Sequence, residues 1–128
     1  MTKRLSIEIP GIEHKAPIPM GSKIGNIVYS SGISGDDLET QTTPSDPAEQ
    51  AKAVFKNIRR FMQAAGGSPD DIIRLTLYVT DKKLRSHFDK EWLAMFPNEH
   101  SRPARHAIPA DLGKGKFFQV ELVAVLAD

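Results

Sequence analysis

In the middle of this 128-residue chain the spacing of the apolar residues switches from helical to alternating, and that switch limits the folds open to it. Ala51, Val54, Phe55, Ile58, Met62 and Ala65 recur at the spacing of one helix face. Asp46 is placed to cap the free N–H groups, Pro47 suits the first turn, and Glu49 stands three residues after the cap, as in a capping box. Gly66-Gly67 ends the run. After the turn Ser68-Pro69-Asp70-Asp71, residues Ile73, Leu75, Leu77 and Val79 alternate with Ile72, Arg74, Thr76 and Tyr78, which is the pattern of a strand. A long helix leading directly into a strand belongs to a domain built from both element types.

The flanking sequence extends the pattern. Leu5 to Ile9 alternate and close at Pro10-Gly11, and Lys23 to Ser31 read as one strand or as two around a Gly25-Asn26 turn. Pro17-Ile18-Pro19 is an extended loop, because proline supplies no N–H to a ladder. Thr80 or Asp81 caps a second helix whose apolar face is Leu84, Phe88, Trp92 and Met95 or Phe96, and Pro97 stops it. A last strand runs from about Lys116 to Leu126. The order is strands, helix, strand, helix, strand, which predicts an α+β two-layer sandwich: a mixed sheet with both helices on one face, in one domain over residues 1–128. Two helices cannot cover Ile72, Tyr78, Phe117, Val123 and Val125 together, so an apolar sheet face is expected to pack between subunits.

Composition removes several classes of function. Lys and Arg number 17 against 16 Asp and Glu, so there is no broad basic field for a nucleic acid. The absence of cysteine excludes disulfides, thiolate metal sites and a cysteine nucleophile. His14, His87, His100 and His106 lack metal-ligand spacing, and Asp36-Asp37 and Asp70-Asp71 read as turn residues, so no metal is expected. Gly66-Gly67 and Gly113-Lys114-Gly115-Lys116 lack the phosphate-loop pattern. No apolar run has signal-peptide or membrane-span length, and a cytoplasmic protein without membrane contact is expected.

Three polar residues near the end of the chain carry the chemistry. Arg105 stays protonated and offers paired donors that match a small carboxylate, or else it forms a surface or interface ion pair. Gln119 and Glu121 project to one face of the last strand between apolar neighbours, where a glutamate needs a partner or a cleft. Arg105 is the nearest candidate partner in sequence, and a purely structural bridge is the alternative. Ser31, beside Gly32 at a strand end, has no nucleophile elbow and serves as a hydrogen-bond donor. Trp92 reads as core rather than as a base-stacking platform.

Taken in order, several short motifs resemble the RidA/YjgF family of reactive-intermediate deaminases, also called L-PSP proteins. They are Gly25-Asn26 through Val28-Tyr29 to Ser31-Gly32, the helix from Gln50 to Phe61 with Asn57-Ile58, the stretch Ala64-Ala65-Gly66, and Ile72 to Asp81. Asp89-Lys90-Glu91-Trp92 with Phe96, Arg102-Pro103-Ala104-Arg105, and Glu121-Leu122-Val123-Ala124 complete the set. The resemblance implies a chorismate mutase-like sandwich, a homotrimer with sheet faces packed together, clefts between subunits, and no cofactor. It implies hydrolysis of 2-enamine or 2-imine acids to 2-keto acids and ammonia. Arg105 takes the position that holds the substrate carboxylate, and Ser31, Gly32, Ala107, Ile18 and Trp92 fall at substrate-contact positions.

The chain departs from the family pattern at four places. Ile18 stands where a tyrosine is usual, Ala107 where a cysteine is, and Asp89-x-x-Trp92 replaces Asn-x-x-Tyr. Gln119 occupies the position of the glutamate that positions water, with Glu121 at the second glutamate of the strand. An amide orients water but is no base, so a non-catalytic protein binding small carboxylates in the same clefts is the second reading. Endoribonuclease activity is the third, opposed by the near-neutral charge and the lack of an acid–base histidine pair.

Overall fold

The computed structural model describes residues 3–11, 16–113 and 115–127; His14 and Lys114, named above, lie outside them. The long helix, α1 (Pro47–Ala65), forms where its caps place it. Asp46 has extended backbone and its carboxylate accepts from the Glu49 N–H, while Gly66 takes the left-handed φ of 89° that a side chain would disfavour. Only this half of the capping box forms, because the Glu49 carboxylate lies 3.4 Å from Lys52 instead. At the other end the Ala65 carbonyl accepts from Lys23 Nζ at 3.1 Å, a cation at a helix C-terminus.

Among the described residues seven strands form one sheet: β1 (Arg4–Ile7), β2 (Gly21–Ile24), β3 (Ile27–Ser30), β4 (Ile33–Ser34), β5 (Ile72–Val79), β6 (Ala104–Pro109) and β7 (Phe118–Val125). The order across the sheet is β1-β2-β3-β7-β5-β6, with β4 pairing β7. Gly25-Asn26 makes the hairpin between β2 and β3, so that segment is a pair of strands. Asp81 accepts from the Lys83 N–H and starts a single 3-10 turn, Lys82–Leu84, that runs into helix α2 (Arg85–Met95). This helix is the crossover between β5 and β6, the one parallel pair among the described strands.

Strand β6, which carries Arg105, is absent from the element order expected above. Pro103 and Pro109 bracket it, it lies at the sheet edge, and only intermediate or exposed residues occupy it, so no apolar alternation announces it. Both helices cover one sheet face. Val54, Phe55, Ile58 and Met62 of α1 and Phe88 of α2 pack with Val28, Leu75, Leu77, Val120 and Leu122 in a single buried cluster, and the Phe55 and Phe88 rings lie 4.8 Å apart.

The other face is uncovered and partly apolar: Ile24, Ile27 and Tyr29 are about half exposed, and Tyr78, Val123 and Val125 share that face. Two residues assigned to it from sequence belong elsewhere. A register shift between Ile72 and Arg74 turns Ile72 inward to 4% exposure and leaves Ile73 outside at 53%. Phe117 precedes β7 and packs against the core.

Gln50 fixes that approach to β7. Fully buried, it donates from Nε2 to the carbonyls of Pro44 and Gly115, both at 2.9 Å, and accepts the N–H groups of Phe117 and Phe118 at Oε1. Gln50→Ala strands four backbone groups without partners and is expected to lower unfolding stability by about 3 kcal/mol or more. Urea denaturation measures it, and a loss below about 1 kcal/mol, the scale of one ordinary hydrogen bond, contradicts the latch.

Candidate active site

The residues singled out from sequence fall into two groups. The first is built on β6 and α2. Arg105 pairs in register with Leu75, which pairs with Leu122, so Arg105 points to the helix-covered face. Its Nη2 lies 2.7 Å from Asp89 Oδ1, and the guanidinium sits 4.9 Å from the Trp92 ring centroid and 5.5 Å from that of Phe88. One turn of α2 brings Phe88 and Trp92 together beneath the cation, and Asp89 beside it. Ala107 follows on the same face of β6, half-buried and in register with Leu77. Although the Arg105–Asp89 charges touch, the N–H vectors miss the oxygen: Asp89 Oδ1 is sealed from solvent and has no aligned hydrogen bond.

The second group is built around the start of β7. Gln119 lies across from Ser34 of β4 and Tyr78 of β5, and its amide fills the space beside Gly32. The Ser31 hydroxyl donates to the Pro19 carbonyl at 2.7 Å and the Ser31 N–H to the Met20 carbonyl at 2.7 Å. These bonds strap the extended 17–20 segment to the Ser31-Gly32 corner, with Ile18 half exposed beside it. Ser31, Gly32 and Gln119 therefore adjoin, and the Ser31–Pro19 bond holds the backbone next to Ile18 at this corner.

Glu121 points to the same uncovered face as Gln119 and accepts from the Tyr78 hydroxyl at 2.8 Å. That hydrogen bond, with slight burial and the carboxylate's charge, raises the Tyr78 pKa above its ordinary value of 10.0. Glu121 is in one cross-strand row with Thr76 and His106, whereas Arg105 occupies the next row with Leu75 and Leu122. Adjacent rows face opposite sides of a sheet, so Arg105 is not the partner of Glu121 within the chain. A hollow of about 340 Å³ adjoins Glu121, lined also by Arg74, Thr76 and Tyr29. Sequence reasoning marks Asp89 only as a departure from the Asn-x-x-Tyr pattern and Arg74 only as a strand position. Asp89 was legible as the residue three before Trp92 on a helix face, and Arg74 as an outward position in an alternating strand.

The contact between Gly32 and Gln119 yields a direct test. A Cβ at residue 32 overlaps the Gln119 side-chain amide, so Gly32→Ala is expected to cost about 1–3 kcal/mol or to expel that amide from its place. In a double-mutant cycle Gln119→Ala should relieve the cost, and additive effects on melting would exclude the contact.

The chain has extensive relatives. The family model described as "Endoribonuclease L-PSP" matches residues 15–127. A RutC family protein of Pyrococcus abyssi is 31% identical over 117 residues, covering 86% of this chain and 91% of that protein. The 2-iminobutanoate/2-iminopropanoate deaminase of Escherichia coli is 29% identical over 111 residues, covering 85% and 87%. Among solved structures, RidA from an Antarctic Psychrobacter superposes with a TM-score of 0.86 at 28% identity, covering 95% of this chain and 99% of that one. Family model, relatives and fold agree, and the chain belongs to the endoribonuclease L-PSP family, the RidA/YjgF proteins.

Proposed function

We propose that this protein hydrolyses 2-imino and 2-enamine acids to 2-keto acids and ammonia, at sites that two neighbouring copies complete within a homotrimer. The observation that carries this reading is the division of the candidate residues between opposite faces of one sheet. The Arg105, Asp89, Trp92 and Ala107 group has a carboxylate-binding cation, and its one carboxylate, Asp89, is engaged by that cation. The Gln119, Gly32, Ser31 and Ile18 group has a polar group for water and no cation. Joining the first group of one copy to the second of another supplies both, and the uncovered apolar face gives the copies a surface to bury.

Arg105 takes the substrate carboxylate through paired N–H donors and so fixes the imine carbon. An enamine first takes a proton from solvent at C3 and loses one from nitrogen to become the imine. Water, held by Gln119 or by Glu121, then adds its oxygen to the imine carbon as the C=N π bond breaks and one water proton passes to nitrogen. The hydroxyl proton of the resulting carbinolamine passes to nitrogen, the C–N bond breaks, and the carbonyl forms as ammonia leaves. The deaminase named among the relatives supports this chemistry. A specific observation favours a second reading, binding without turnover: Gln119 has an amide where proton abstraction needs a carboxylate.

Release of 2-oxobutanoate from 2-iminobutanoate generated in situ separates the two. Turnover above the uncatalysed rate is expected. A rate equal to the uncatalysed control overturns hydrolysis, and a monomer in sedimentation experiments overturns the shared site.

A further inference from the structure

We propose that Asp89 makes the Arg105 site selective for zwitterionic 2-imino and 2-amino acids over the corresponding 2-keto acids. The inference rests on the reading above, in which Arg105 meets the carboxylate of a small organic acid. An isolated arginine favours any such anion, but this one is not isolated. Asp89 Oδ1 touches Arg105 Nη2 at 2.7 Å, so the pair presents no net charge. The guanidinium rests on the Trp92 and Phe88 rings, at 4.9 and 5.5 Å, which hold it beside Asp89. A ligand therefore meets both charges together.

The two carboxylate oxygens of Asp89 differ. Oδ1 is sealed and lacks an aligned donor, yet the side chain is 44% exposed, so a ligand reaches the carboxylate through Oδ2. A 2-keto acid presents a carbonyl oxygen next to its own carboxylate, and an acceptor facing Asp89 is repelled. A 2-imino acid in its protonated form, like a 2-amino acid, carries a cationic N–H donor on that same carbon. Carboxylate to Arg105 and nitrogen to Asp89 then match both charges with charge-assisted hydrogen bonds. In the hydrolysis, substrate is held by both groups and product by one, which favours product release.

Calorimetric titration of the intact protein with L-2-aminobutyrate, a stable ammonium probe, and with 2-oxobutanoate tests this. The amino acid is expected to bind about tenfold more tightly, and Asp89→Asn to shift the affinity ratio about tenfold toward the keto acid. Asp89→Ala, checked for native circular dichroism, should shift it the same way. Binding of both probes with a ratio unchanged in both variants overturns the role of Asp89 and leaves the carboxylate site standing. No saturable binding of either probe overturns both.

Discussion

Arg105→Ala is expected to lower kcat/KM for keto acid release by roughly 10²–10³-fold, the loss of about 3–4 kcal/mol carried by a bidentate charge-assisted contact. The size follows from what the side chain does in the proposed site, where it both binds the substrate and aligns the imine carbon. KM should rise and kcat should fall, because an anchor acting only on the ground state leaves kcat unchanged. Arg105→Lys should recover only part of the loss, since an ammonium keeps the charge without the planar pair of donors. The same guanidinium stacks on Trp92 and Phe88 and neutralises Asp89, so the variant must be compared after its melting temperature is known. An unchanged kcat/KM in folded Arg105→Ala protein would falsify the anchor.

Gln119→Glu is expected to raise kcat by about 10²-fold with little change in KM, the low end of what a positioned general base contributes. The substitution is isosteric and keeps the contact with Gly32, while it places a proton acceptor where the amide stands. Its pH profile should gain a limb that rises as the new carboxylate ionises. Glu121 offers the competing assignment. Its Oε1 already accepts from the Tyr78 hydroxyl, which occupies one lone pair and ties the group to β5. Should Glu121→Gln abolish turnover while Gln119→Glu leaves it unchanged, the base is Glu121 and the row containing Thr76 and His106 is the catalytic one. A protein inactive as isolated that gains turnover only through Gln119→Glu is a carboxylate binder separated from hydrolysis by one functional group.

Features set by neighbours in sequence were legible before any coordinates. The N-cap of α1, the end of the helix at Gly66 and the alternation from Leu75 to Val79 depend on contacts within a few residues, and each formed where residue chemistry placed it, whereas Asp81 caps a 3-10 turn rather than α2 itself and the alternation breaks at Ile72. The departures at Ile18, Ala107, Asp89 and Gln119 were equally plain, because a motif is read position by position. The buried role of Gln50 was not, since its partners at Pro44, Gly115, Phe117 and Phe118 are assembled by folding.

By itself, then, the sequence determined the two helices, most of the strands, the apolar surplus of the sheet and the residue types on which chemistry depends. Only the tertiary structure decided which of those residues can act together. The bulge at Ile72 and the register of β6 and β7 on either side of β5 assign each side chain to a face, and a shift of one residue would exchange the faces. No local pattern encodes that parity, because it depends on pairing between segments far apart in the chain. It separates Arg105 from Glu121, pairs the arginine with Asp89, and leaves the Arg105 and Gln119 groups on opposite sides of the sheet of each chain.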